Sequence, residues 1–254
     1  MAEWEEPGIV LNVRAYGEAD LIVSSFTAGQ GLHKGLVRGG ASRRQVALWQ
    51  SGNLVALRWV GRLPEQLGHL SGEMVQAMAP GAMDDALSLA LLRAACATAA
   101  GALPEREPHA ASFSALLNLL PRIAAQLASP ADLARFELTL LTDLGYGLDL
   151  SSCAVTGATQ GLAFVSPRTG RAVTVEAAGA WAGKLLPLPA FLRPGANMAG
   201  EEPAEWRDAL RLTGHFLERD AFGHHHQPLP EARRHLYQMI ETLADTADAN
   251  RSAG

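Results

Sequence analysis

The sequence predicts an α+β, multidomain protein: a small N-terminal β-barrel followed by an all-helical domain that carries a β-like insert. Three observations predict it. Short alternating apolar runs with glycine at their corners fill the residues before Pro80. The hydrophobic period becomes helical after Pro80. A Gly-, Thr- and Pro-rich stretch over residues 150–192 then interrupts the helices. With 254 residues, 48% of them hydrophobic, the chain has enough apolar mass for a core in each part. The expected boundaries are 1–80 for the barrel and 81–254 for the helical domain.

Five strands are expected in the first part. Ile9, Leu11 and Val13 alternate with Val10, Asn12 and Arg14, and Leu21-Ile22-Val23 leads to Phe26. Gly29-Gln30-Gly31 supplies a turn into Leu32 to Arg38, which Gly39-Gly40 closes. Asn53 to Val60 is β-branched and aromatic and ends at Gly61 and Pro64. The last run, Gln66 to Gln76, carries two glycines, which predict a bend or bulge. A small closed barrel or a sandwich fits this pattern, an SH3-like barrel would read almost the same way, and periodicity does not choose between them.

The helices follow in order. Asp84 to Ala100 is Ala/Leu-rich and precedes Gly101, and Ser112 to Leu127 places Phe113, Leu116, Leu117 and Leu120 at helical spacing, with a kink expected at Pro121. Ser129-Pro130-Ala131-Asp132 supplies an N-cap, proline at the first helical position and an acid at the third. Leu133, Phe136, Leu140, Leu141 and Leu144 continue that helix to a stop at Gly145. Two more are expected at Pro203 to Arg219 and Pro230 to Ala247.

Several classes fall away. Two cysteines, Cys96 and Cys153, exclude a disulfide scaffold and fit a reducing compartment. The acidic start, Met1-Ala2-Glu3-Trp4-Glu5-Glu6, has no apolar core of a secretory signal. The most apolar stretch, Ala86 to Ala100, is short for a bilayer and carries Arg93. A cytoplasmic protein without a membrane segment is expected. Gly29-Gln30-Gly31-Leu32-His33-Lys34 lacks the spacing of a phosphate loop and leads into a strand rather than a helix. The consecutive histidines His224, His225 and His226 do not converge on one metal in a regular element. No catalytic motif, cofactor site or small-molecule site is predicted, and Cys96, inside an Ala-rich helix, is expected to be inert core.

The charge is unevenly placed. A net charge of −5 argues at first against nucleic acid. Yet Arg14, Lys34, Arg38, Arg43, Arg44, Arg58 and Arg62 face only Glu18 and Asp20, so residues 14–62 carry +5 and the remainder −10. Tyr16, Phe26, Trp49 and Trp59 are interleaved with these cations. Cations that follow a backbone, beside aromatic faces that stack bases at roughly 1–3 kcal/mol each, are what single-stranded nucleic acid requires. The seven cations are the candidate DNA-binding residues, and the glycines of Lys34 to Arg44 would admit a close phosphate. A solvated barrel face over an aromatic core is the competing reading, and on it the barrel is a protein-interaction scaffold.

The residues also carry a resemblance. Gly8-Ile9-Val10-Leu11, Tyr16-Gly17-Glu18-Ala19-Asp20, Ser25-Phe26-Thr27 and Gly31-Leu32-His33-Lys34-Gly35 are similar to the start of the bacterial recombination mediator family RecO. Arg135-Phe136-Glu137-Leu138, Leu144-Gly145-Tyr146-Gly147, Leu186-Pro187-Leu188-Pro189 and Leu229-Pro230-Glu231-Ala232-Arg233 resemble its helical half in the same order. The resemblance implies an OB-fold, binding of single- and double-stranded DNA, strand annealing, and partnership with RecR. It further implies a grip on the C-terminal tail of the single-stranded-DNA-binding protein (SSB), which promotes RecA loading. An acidic, apolar-ended tail needs an apolar groove rimmed by cations, for which Arg122 and Arg135 are the candidates. The family's zinc-bearing members have two C-x-x-C pairs in the insert. Here Cys153 stands at the first position, but Thr156, Thr174 and Ala177 stand at the others. A zinc-ribbon-like insert lacking metal is therefore expected, held by Val155, Leu162, Phe164, Val165 and Val173.

Overall fold

Period-two alternation produces five strands in the computed structural model of the chain, which describes residues 2–63, 66–196 and 202–252. They are β1 (Ala2–Tyr16), β2 (Asp20–Thr27), β3 (Gly31–Val37), β4 (Leu54–Gly61) and β5 (Gly68–Gln76). Their order, β1-β2-β3-β5-β4 with β4 returning to β1, is that of an OB-fold barrel. Every pairing is antiparallel except the short β3–β5 seam, Gly35 opposite Gly68 and Leu36 opposite His69. Glycine at position 35 permits that seam, because a Cβ there would stand 2.5 Å from the Leu70 Cβ. Gly31 is equally constrained: its φ is +67°, and a Cβ would meet the Glu107 carbonyl oxygen at 2.0 Å.

β1 begins earlier than the alternation predicts. Its first half pairs with β4 and its second with β2, and the ladder shifts register between Val10 and Asn12. Trp4 belongs to the barrel, stacked on Trp59 with ring centres 6.2 Å apart, while His33 meets both rings edge-on. Val10, Val23, Val55, Leu57, Trp59 and Leu70 form the core beneath. Pro64, expected to close β4, lies outside the described residues.

Asn53, fully buried, organises the connections. Its amide donates to the carbonyls of Ala47 (2.8 Å) and Leu48 (3.3 Å), and its carbonyl accepts from the N–H groups of Met78 (2.9 Å) and Ala79 (3.1 Å). One side chain thus ties the 38–53 connection to the exit from the barrel.

Three helices follow: α1 (Ala79–Met83), α2 (Ala86–Ala102) and α3 (Ala110–Ala124). Asp85 caps α2 by accepting from Ser88 N–H at 2.7 Å. Pro121 sits in the last turn of α3, which stops at Ala124 rather than Leu127. These helices share the barrel's compact unit, Met1–Ala128. Leu92 of α2 lies so close to Gly52 that a Cβ there would meet its Cδ1 at 2.5 Å, and Phe113 of α3 sets its ring edge-on to Phe26. Pro80 marks a change of secondary structure, whereas the compact units divide at Ala128/Ser129.

The second unit, Ser129–Gly254, opens with α4 (Pro130–Asp143). Its capping box is formed as the sequence predicts, Ser129 N–H donating to the Asp132 carboxylate at 2.9 Å. The insert forms a small sheet in the order β7-β6-β8, from β6 (Leu162–Val165), β7 (Ala172–Thr174) and β8 (Leu186–Pro187), with the short helix α5 (Val175–Ala178). Leu162, Val165 and Val173 are buried, but Val155 is 71% exposed and holds nothing. The turn after Cys153 directs the sulfur inward and the side chain two residues later into solvent.

Helices α6 (Pro203–Phe216) and α7 (Glu231–Ser252) complete the unit. A buried ion pair joins them to α4. Arg233 donates Nε to Glu137 Oε1 at 2.5 Å and one Nη to Glu137 Oε2 at 3.0 Å, and the same Nη bonds the Leu210 carbonyl at 2.8 Å. The Thr213 hydroxyl donates to Glu137 Oε2. Removing one member of such a buried pair costs about 3–5 kcal/mol, because the other charge is stranded.

The barrel carries a pH liability at His33, which is buried among Trp4, Trp59 and β3. Burial, with Arg106 adding to it and Glu105 opposing it, holds its pKa below 6.5. The unfolded chain therefore binds a proton before the folded chain does, and stability falls as pH drops below about 6.5 and levels off beneath the folded pKa. Denaturant titrations of wild type and His33→Gln across that range should show the wild type losing stability and the variant losing less. Parallel curves would refute the assignment.

Candidate nucleic-acid interface

The ladder registers decide which cations share a surface. Arg14 on β1 stands opposite Ile22 on β2, which faces Leu36 on β3. One row away, Asn12, Ser24 and Lys34 align. Since side chains alternate, Arg14 and Lys34 project from the same outward face of β1–β2–β3, and Arg38 leaves β3 two residues beyond Leu36. Tyr16, 52% exposed, extends that face from β1. Arg43 and Arg44 are exposed in the turns between β3 and β4, and Arg62 is exposed just after β4. Asp20 is not a competitor for these cations, because its carboxylate accepts the Gly39 N–H at 2.8 Å and shapes the exit from β3.

Two of the seven cations stand apart. Lys34 is ion-paired with Glu105. Arg58 projects from β1–β4–β5, where its guanidinium meets Glu3 at 2.5 Å and Glu5 at 3.2 Å. A trough of about 540 Å³ crosses that side between Glu5, Glu73, Ala56 and Gly72, so this side of the barrel is acidic. Arg14, Arg38, Arg43, Arg44 and Arg62 make no ion pair among the described residues. The alternation of Glu3 and Glu5 about Trp4 is the sequence signal for the acidic side, and it is a weak one because three glutamates in the first six residues do not resemble a strand.

Three of the four interleaved aromatics are core. Phe26, Trp49 and Trp59 are at most 2% exposed. Trp49 donates its indole N–H to Gln45 Oε1 at 3.1 Å, and Trp59 donates to the Lys34 carbonyl at 3.2 Å. Only Tyr16 of that set can meet a base. The surface is one of charge rather than of stacking.

In the helical unit, Arg135 lies over the Phe191 ring at 5.0 Å and bonds Asp132 at 3.4 Å. Arg122 belongs to the first unit, where it donates to the Leu127 carbonyl at 3.3 Å. A groove of about 480 Å³ between α6 and α7 has Leu186, Leu210 and Leu229 on its floor, with Arg211, Arg234 and Tyr237 beside them. Arg211 and Arg234 have no ion pair among the described residues. His224 stacks on Tyr146 at 5.7 Å, and nothing is described of the His225 side chain.

The four zinc-ligand positions supply one thiol, two hydroxyls and a methyl group, which do not fit a structural zinc. Cys153 Sγ instead accepts the Thr174 N–H at 3.5 Å and lies 3.8 Å from the Thr174 hydroxyl. Burial raises the Cys153 pKa, but hydrogen bonds from the Thr156 hydroxyl and N–H and from the N–H groups of Thr174 and Val155 outweigh it and bring the pKa to about 6. Cys96 is the contrasting case, pushed up to about 12 by burial alone. Among the described residues no group of His, Cys, Asp and Glu could hold a metal, and no helix is long and apolar enough to cross a membrane.

An OB barrel with a basic face, joined in sequence to a helical unit bearing a degenerate zinc knuckle, defines the class. The family model described as "Recombination protein O N terminal" matches residues 1–78, and "Recombination protein O C terminal" matches 83–228. The chain therefore belongs to the RecO family. It is 58% identical over 242 residues to the DNA repair protein RecO of Acidiphilium cryptum, covering 94% of this chain and 95% of that one. It is 53% identical over 247 residues to the DNA repair protein RecO of Granulibacter bethesdensis, covering 96% and 98%. The protein of the same name from Gluconacetobacter diazotrophicus is 52% identical over 247 residues, covering 95% and 96%.

Two outcomes follow from this geometry. Arg58→Ala should leave the midpoint of a denaturant melt close to that of wild type, since its pairs are exposed and screened by solvent, and should leave oligonucleotide affinity within about twofold. A large loss of affinity would place the acidic side in the interface. Elemental analysis of protein purified without chelator should find well under one zinc per chain, and one tightly held zinc would overturn the hydrogen-bonded account of the knuckle.

Proposed function

We propose that this RecO-family protein acts in DNA repair by binding single- and double-stranded DNA through the barrel, residues 1–80, and annealing complementary strands. The observation that carries the reading is the set of five arginines, Arg14, Arg38, Arg43, Arg44 and Arg62, which make no ion pair among the described residues, on a barrel whose other side is acidic. Contact falls on the sugar-phosphate backbone, which leaves base edges open to a complementary strand. Lys34 joins when phosphate displaces Glu105, and Arg58 serves the acidic side. No bond is made or broken by the protein, which acts as a mediator and not as an enzyme, without metal or cofactor, in the cytoplasm at the nucleoid.

Residues 81–254, with the insert at 150–192, form the partner-binding part on this reading. RecR and the SSB C-terminal tail are the partners, and RecA loading on SSB-coated DNA is the outcome. The tail, acidic and apolar-ended, suits a leucine floor with cations at the rim. Arg122 and Arg135 are the sequence candidates for such cations, but Arg122 lies in the first unit and neither lines the leucine groove of the second. The groove lined by Leu186, Leu210 and Leu229 adds Arg211 and Arg234, which are not occupied by carboxylates.

The test is a salt titration of oligonucleotide binding with the full chain. Five phosphates neutralised on a single strand give a slope of log K against log[salt] of roughly −3.5. Arg43→Ala with Arg44→Ala should weaken binding and reduce that slope by about 1.4. A slope near zero would overturn the DNA-binding reading in favour of the scaffold, and a double variant that binds DNA as tightly as wild type would remove Arg43 and Arg44 from the interface.

A further inference from the structure

The insert departs from its surroundings in two ways. Residues 149–192 carry Arg168, Arg171 and Lys184 against Asp149 and Glu176, a net +1 in which Arg171 is paired with Asp149 at 3.3 Å, while the rest of Ser129–Gly254 carries −5. The same insert also exposes apolar surface that its own small sheet does not need. Val155 is 71% exposed, and Val175 and Trp181 are each 63% exposed. Val155 and Val175 flank the place where Cys153 meets Thr174, and Trp181 lies in the turn of 3-10 helix that continues directly from α5. The Lys184 ammonium stands 4.7 Å from the centre of the Trp181 ring and leaves most of the indole open to solvent.

We propose that the knuckle is a second contact for single-stranded nucleic acid, in which a base stacks on Trp181 and Lys184 neutralises the adjoining phosphate. This rests on the DNA-binding reading and extends it to a site in the helical unit. The chemistry favours a nucleic acid over an acidic or apolar peptide. An exposed indole with a cation beside it offers both a face for a base and a charge for a phosphate, the pair that single-stranded nucleic acid requires. Charge points the same way, because Arg168 and Lys184 make no ion pair among the described residues and stand on an otherwise acidic unit that repels a polyanion elsewhere. Stacking on the knuckle also supplies what the barrel face is short of, since Phe26, Trp49 and Trp59 are buried there.

The experiment uses the full chain and an oligo(dT) strand. Of the five tryptophans, Trp181 alone is exposed, so emission quenched by the strand reports on it. Trp181→Ala should abolish most of that quenching and weaken binding about 5- to 150-fold, the equivalent of roughly 1–3 kcal/mol for one stacked base. Trp181→Phe should restore most of the affinity, and Lys184→Ala should reduce the salt slope by about 0.7. Undiminished affinity in Trp181→Ala, with binding still sensitive to Arg43→Ala and Arg44→Ala, would overturn the knuckle site and leave the barrel reading standing. Trp181→Ala that spares DNA but weakens a protein partner would overturn it in favour of a protein contact. Wild-type protein that does not bind the strand at low salt would remove both readings.

Discussion

The first unit depends on Asn53. A fully buried amide must have its donors and acceptor satisfied, and this one is satisfied by two separate stretches of backbone, while the residue's own backbone carbonyl holds a third. It accepts from the start of α1 and donates to the connection that carries Arg43 and Arg44. Its own carbonyl accepts the Val10 N–H at 2.9 Å, beside the point where β1 changes register. The arginine-bearing turns are therefore anchored at their C-terminal end, although their tips are exposed. An interface that meets a flexible polymer gains from such anchoring, because the cations need not be ordered at the moment of binding.

The helical unit relies on a different solution to the same physical demand. Arg233, Glu137 and Thr213 come from α7, α4 and α6, and each is buried with its polar atoms engaged. Apolar residues could fill that volume, yet charges must be paired, so the triad admits one relative placement of three helices. In the knuckle, hydrogen bonds to one sulfur stand where four ligands and an ion would otherwise act. The thiol of Cys153 is stabilised as thiolate by donors from Thr156, Thr174 and Val155. A turn that closes on sulfur has no need of a second cysteine.

Charge organises the surface more than composition suggests. The chain is acidic on average, but the acids collect on β1–β4–β5 and in the helical unit, and the free arginines on β1–β2–β3 and the loops beside it. Arg58 illustrates why a linear count misleads. It lies within the most basic segment, yet its ladder partner is Glu5, and it is spent on the acidic side.

The sequence by itself determined the five strands, the helices, the capping box at Ser129 and the break in charge. Each of these is written in local periodicity, turn chemistry or residue type, which act over a few positions. It also showed a single cysteine, Cys153, in the insert, with Thr156, Thr174 and Ala177 where the resemblance implies the other ligands of zinc-bearing members. Only the tertiary structure decided the closing of β3 on β5, the fate of the aromatics and the pairing of Arg58. It also joined α1–α3 to the barrel's unit and separated Val155, turned into solvent, from Val173, buried nearby. These depend on which residues meet across long separations in the chain, and a strand's period says which side chains share a face without saying what that face will touch.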